Sequence, residues 1–342
     1  HTKEQFFRNA LFLGCVSRYN QEGKRLFMIR SMFAAVAGLR THQNRMDVIS
    51  NNISNVNTYG FKAGRATFKE SIYQNMYNST SGNEVLGGQN PSQIGYGSQI
   101  GSVSVDYAPG NYEPTGYGTD CMISGNGFFM VGPKNLGAAA GEGIANDATN
   151  IPKLNLTRVG AFTVDGDGYL VDENRNVVYG FMSADGQPAT GTADLTLNKD
   201  VLVPIRIPAA QAGGGGAGGD ADTRMNLSQI AIDSNGLLSG VGDDKTIYKI
   251  GQVGVCNVPN PNALEKAGDS YYMIRNNTGE VKAYVPGEGT TGNLLTNGLE
   301  MSTTNLATEI SNMIITQRGF QANSKMITVS DEMLQELISM KR

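Results

Sequence analysis

Apolar residues recur every seven positions near both ends of this chain. Met32, Leu39, Met46 and Ile53 keep that interval, and Ala35, Ile49 and Val56 follow three places behind, an a/d stripe interrupted at one d position by His42. Toward the other end Leu299, Leu306, Met313, Phe320, Ile327 and Leu334 repeat the spacing, broadened by Ile310, Ile314, Leu337 and Ile338. Between Asn305 and Met340 there is no proline and only Gly319, so a helix of about thirty-five residues is predicted there. The first helix is expected to stop in the Asn-rich stretch Asn51 to Gly60, with Gly60 as the stop, since Asn and Gly accept left-handed backbone angles.

The middle of the chain is patterned differently. All eleven prolines fall between Pro91 and Pro286, which removes helix as a reading for most of that region. Ile100 to Val105, Cys121 to Val131, Leu154 to Val164, Tyr169 to Val178, Ile247 to Val258 and Tyr271 to Val285 are rich in Val, Ile, Tyr and Phe. Gly, Pro, Asn and Asp turns separate them, so they are predicted strands. Gln211 to Asp222, with its run Gly213 to Gly216, reads as a flexible loop.

A long helix with a narrow apolar seam needs a partner, and the other terminal helix is the obvious one. The expected fold is therefore α+β and multidomain, with long N- and C-terminal helices pairing as a coiled coil beside a mainly antiparallel β central domain. In residues, 28–72 and 299–342 form the helical core, and 73–298 the β-rich domain with loop 211–222. The seam is expected to consist of Met32, Leu39, Met46, Ile49, Ile53 and Val56 on one helix. Leu306, Met313, Phe320, Ile327, Leu334 and Leu337 face them from the other. Residues 1–27 differ in character from the rest of the chain, and Met28 is read as the natural start.

Composition narrows the function classes. The 44 glycines and 17% charged residues of the 342-residue chain suit turns and strands. A net charge of -4 gives no field that attracts nucleic acid. No apolar run nears the ~20 residues of a membrane span, and Ala10 to Val16 is followed by Arg18 in place of a cleavage site. Neither membrane insertion nor a cleaved signal peptide is expected. Cys15, Cys121 and Cys256 are too scattered for a disulfide framework or paired zinc ligands, and the last two read as small strand residues.

Each candidate for chemistry has a cheaper structural reading. Of the two histidines, His42 lies on a helix seam, which leaves a Ser-His-Asp arrangement unsupported. Asp165-Gly166-Asp167-Gly168 begins like a calcium loop but lacks the twelfth-position glutamate, so a β-turn is expected. Gly125-Asn126-Gly127 lacks the third glycine and helix start of a phosphate loop and reads as a hairpin turn. Gly213 to Gly219 is not followed by Gly-Lys-Ser/Thr. No catalytic, cofactor or metal site is expected, and the chain is read as a structural protein.

Several segments resemble a known family, the bacterial flagellar rod and hook axial proteins. Arg30-Ser31-Met32-Phe33, Met46-Asp47-Val48-Ile49 and Asn51-Asn52-Ile53-Ser54-Asn55-Val56-Asn57-Thr58 are similar to its N-terminal signature. Met313 to Lys325 and Asp331 to Leu337 are similar to its C-terminal one. Gly125 to Phe129, Arg158 to Val164 and Gly251-Gln252-Val253 resemble its β-domain motifs. Within the family, Gly88 to Gly97 and Phe68-Lys69-Glu70 look most like a short hook subunit, with the distal rod subunit as the alternative.

Membership implies a flagellar, extracellular location in the hook or basal body. It also implies export through the flagellar type III apparatus, and stacking of copies of the chain into a hollow tube that transmits torque. Implied partners are self, rod proteins, the hook cap, the hook-filament junction proteins and the export apparatus, with no cofactor. One departure is Met32 and Val36, where the family's export motif often has Phe and an aliphatic residue. An adhesin-like surface protein would share the β-domains and helical ends, but predicts a signal peptide and one exposed binding patch.

Overall fold

The structure, a computed structural model, describes residues 30–340 except 83–86, 135, 137–142, 148, 184–187, 191–196, 209–226 and 243. The glycine-rich stretch 211–222 and the extension 1–27 thus lie outside the described residues. Described residues form two compact units: one from the spans His1–Ile53, Gly64–Ser104 and Asn305–Arg342, the other from Ser54–Ala63 and Val105–Thr304. This division differs from boundaries at 72 and 299. The chain after the first helix runs into the β unit for ten residues, and a long hairpin then belongs to the helical unit.

The helical unit contains α1, residues 30–54, and α2, Leu306–Ser339. Asn305 caps α2, its Oδ1 accepting the N–H of Thr308 at 3.2 Å, which satisfies one of the unpaired amides of the first turn. Helix α1 stops at residue 54, earlier than Gly60. Its end is pinned from the side: the Asn52 amide donates to the Gly64 carbonyl at 2.8 Å and accepts the Gly64 N–H at 2.9 Å. From Gly64 the hairpin climbs through paired strands Gly64–Glu70 and Ser98–Val105, then Tyr73–Tyr77 and Ser92–Gly95. Thr41 anchors it to α1, its hydroxyl 2.7 Å from the Ala37 carbonyl and 3.0 Å from that of Ser98.

The β unit is built on a large sheet whose strand pairs are all antiparallel among the described residues. Strand Phe128–Gly132 lies at its centre, paired with Asn155–Thr157, Val177–Met182 and Val255–Asn257. Successive side chains point to opposite faces. Phe128 and Met130 enter one buried cluster with Tyr179 and Phe181, while Phe129 and Val131 enter another with Phe162, Val178 and Val255. Both faces are covered, which is why the run Phe128 to Val131 is apolar at every position. Cys121 and Cys256 are buried in strands, and burial pushes both thiols above their usual range.

Two glycine-containing turns behave differently. Asp165 to Gly168 joins an antiparallel pair, Thr163–Val164 with Leu170–Val171, as its composition suggests. Gly125-Asn126-Gly127 does not join a hairpin. Cys121–Ser124 pairs with Asn293–Thr296, whereas Phe128–Gly132 belongs to the large sheet. Gly125 and Gly127, at φ 128° and 130°, turn the chain from one sheet into another, a corner that residues with a Cβ rarely make.

Candidate functional site

The terminal helices carry the segments that the sequence singles out, and their faces are sorted unexpectedly. On α2 the only fully buried residues are Thr316 and Ser330. Glu309, Asn312, Met313, Gly319, Asn323, Ile327, Leu334 and Leu337 are half-buried on the same side. On α1 the buried positions are Ala35, Gly38, Thr41, Ile49 and Asn52. The covered stripes keep the interval of three and four residues that marks a helix face, but they are lined largely by small and polar side chains.

Glycines set the approach of the two helices. A Cβ on Gly38 would stand 2.6 Å from the Asn323 amide nitrogen, and one on Gly319 would stand 2.6 Å from Cε1 of His42. Residue 38 faces 323 and 42 faces 319, so the helices run antiparallel where they touch. The hairpin closes the third side of this junction. His42 stands edge-on to Phe68 with ring centroids 5.7 Å apart, and the Arg45 guanidinium lies 5.3 Å from the centroid of the same ring. Burial, and then the Arg45 charge, push the His42 imidazole below its ordinary pKa, so the neutral ring is the favoured form.

The expected seam residues divide accordingly. Ile49 is buried, and Met32, Leu39, Met46, Ile53, Met313, Ile327, Leu334 and Leu337 are half-buried. Val56 lies beyond the end of α1, in the turn after it. Leu306 and Phe320 are exposed. Exposed apolar residues continue along α2: Ile310 and Ile314 beside Leu306 on one flank of the covered stripe, Ile315, Met326 and Met333 on the other. Ile315 is 61% exposed, an unusual state for isoleucine.

In the β unit, a polar cleft of about 320 Å³ is lined by Asn57, Thr58, Tyr59, Asp172, Asp269 and Tyr271, among others. Asp172 is occupied in holding its own turn. It accepts the backbone N–H groups of Asn174 and Asn176 at 3.0 and 2.8 Å, together with the Tyr271 hydroxyl. Among the described residues, no three His, Cys, Asp or Glu side chains are gathered as metal ligands. No helix of the described residues is long and apolar enough to cross a membrane.

A helix lies on each side of an antiparallel β unit in the sequence, and the chain's relatives place it in the class of flagellar axial structural proteins. Residues 32–62 match the family of flagella basal body rod proteins, and residues 296–340 match the flagellar basal body rod FlgEFG protein C-terminal family. The flagellar basal-body rod protein FlgG of Bacillus subtilis is 33% identical over 92% of this chain and all of that protein. The flagellar hook protein FlgE of Borreliella burgdorferi is 26% identical, again over 92% of this chain and all of that protein. That of Helicobacter mustelae is 38% identical over 46% of this chain and 32% of its own length. This chain belongs to the flagellar rod and hook protein family. Its relatives are structural components of the basal body and hook, not enzymes.

Proposed function

We propose that the chain is a structural subunit that polymerises through its terminal helices into the hollow tube of the flagellar axis, as a hook subunit. The observation that carries polymerisation is the exposed apolar flanking of α2. Leu306, Ile310 and Ile314 on one flank and Ile315, Met326 and Met333 on the other are left about half exposed by the described residues. Burying the exposed half of each such side chain contributes about 1 kcal/mol, and rows of them in water invite association. Neighbouring copies supply that cover in a tube, where the seam of Met32, Leu39, Met46, Ile49 and Ile53 with Met313, Ile327, Leu334 and Leu337 tightens as a coiled coil.

Charge supports the same reading. Apart from the buried Lys62, residues 28–72 carry five Lys or Arg and two acids, whereas Asp331, Glu332 and Glu336 lie near the far terminus. Attraction between copies is then weakened by salt. Export through the flagellar type III apparatus and contacts with rod, cap and junction proteins belong to this proposal.

A rod subunit is the second reading, and one observation favours it: Bacillus subtilis FlgG aligns in 316 residues without the long insertions of the Borreliella burgdorferi hook protein, whose alignment extends to 448. Electron microscopy of the purified chain induced to polymerise separates the two. Curved tubes are expected for hook and straight ones for rod. Tubes formed by a chain lacking α2 would end the proposal for both.

A further inference from the structure

The β unit encloses three charged side chains that neither polymerisation nor the helix seams use. Lys62 and Glu300 are fully buried and Arg158 is 2% exposed. Lys62 donates to Glu300 Oε1 at 2.5 Å and to the Ala108 carbonyl at 2.6 Å. Arg158 reaches Glu300 Oε2 at 3.4 Å and donates to the Gly125 carbonyl at 2.9 Å. The Gly110 N–H adds a bond of 2.8 Å to Glu300 Oε1. Two cations thus share one carboxylate, and Arg158 Nε has no hydrogen-bond partner among the described residues.

Around this triad two distant segments run side by side. Gly60 donates its N–H to the Glu300 carbonyl at 2.7 Å, Thr303 its N–H to the Phe61 carbonyl at 3.1 Å, and Ala63 its N–H to the Thr303 hydroxyl at 3.0 Å. Gly60 is at φ 66°, and a Cβ there would stand 2.9 Å from a Val159 methyl, so only glycine lets the segments meet. Lys62 and Glu300 are 238 positions apart in sequence, Arg158 and Glu300 142.

We propose that Glu300 is a closing latch: the β unit folds around Lys62 and Arg158 with that site still open to water, and docking of segment 298–304 closes it last. Sequence separation argues for the order, because a contact spanning more than two hundred residues carries the largest closure entropy and is least favourable early. Desolvation argues for it too. Lys62 and Arg158 cannot be buried before their anion arrives, since an unpartnered charge in a dry interior is strongly destabilising. Burial pulls both cations' pKa values down even with Glu300 in place. A chain delivered from its N-terminus presents residue 300 long after Lys62 and Arg158, so the latch keeps the unit open until all three segments have arrived. It then fixes the segment after α1 against the segment preceding α2.

Stopped-flow folding of the dilute full-length chain, followed by tyrosine fluorescence, tests this independently of any polymerisation. Glu300→Gln keeps the shape and the acceptor for Gly110 but removes the charge. Its unfolding is expected to quicken by about tenfold or more while refolding changes by less than about twofold, the signature of a contact made after the transition state. If that variant does not fold, Arg158→Lys, which keeps the charge and loses the second donor arm, is read the same way. In pulse-labelled hydrogen exchange of the unsubstituted chain, the Gly60 and Gly110 amides are expected to gain protection after those of Phe128 to Val131. Refolding slowed as much as the stability falls, both rates unmoved, or simultaneous protection of the two sets of amides would overturn the latch.

Discussion

The β unit and the helical unit divide the apolar residues of this chain in opposite ways. In the β unit Phe129, Met130, Val131, Val178 and Val255 are wholly buried, and the covered faces of its large sheet leave its apolar residues little to gain from outside. In the helical unit the deepest positions of α2 are a threonine and a serine, while isoleucines and methionines face solvent. Most helical stability in proteins comes from tertiary packing of an apolar face. A unit that buries small residues most deeply and leaves several isoleucines and methionines outward has apolar surface left to cover, which the proposed assembly would do.

Four experiments break or sharpen that contrast. The largest effect is expected from Phe129→Ala, because its ring is fully buried and meets Phe162 edge-on at 5.2 Å. A loss of about 3–5 kcal/mol is expected in urea unfolding of the β unit. Next, Gly319→Leu drives a branched side chain into the His42 ring, and overpacking of about 1–3 kcal/mol should appear as lost helical circular dichroism at lower urea, with the β transition unmoved. A single transition shared by both units in either variant would show that they are not energetically distinct.

Mild acid, in the window where His42 titrates, is expected to act on the helical unit and more weakly. His42 is held below its ordinary 6.5, so its contribution is intact above that pH and is lost as pH falls through 6.5 to the depressed folded value. The thermal midpoint of the helical signal should fall over that window in the unsubstituted chain and stay level in His42→Gln. The smallest effect on the isolated subunit is expected from Ile315→Ser with Met326→Ser, within about 0.5 kcal/mol by urea unfolding. The same pair is expected to abolish or greatly slow tube formation by light scattering. Normal polymerisation of that variant would leave the exposed flank without a role.

Much of the fold was legible because it is local. The absence of proline between Asn305 and Met340 places α2 to within a residue or so at each end, although Leu299, which keeps the interval of seven, lies in a strand. The Val- and Phe-rich runs locate the main strands, and Asp165 to Gly168 was readable as a turn from its composition. The corner at Gly125 to Gly127 was not legible, because a hairpin and a change of sheet use the same short glycine-rich turn. They differ only in which distant strand each arm meets.

The helix faces show the same limit. Periodicity by itself determined that both termini form helices with an apolar stripe, since the 3.6-residue repeat is a property of the backbone. Which side of α2 packs was decided in three dimensions, where Gly38 and Gly319 allow a close approach that draws Thr316, Asn323 and Ser330 inward and leaves Phe320 exposed. Lys62, Arg158 and Glu300 carry no signal along the chain, for nothing in their spacing marks them as neighbours. Only the folding of segments more than a hundred residues apart into one dry interior makes three ordinary surface residue types into a buried cluster.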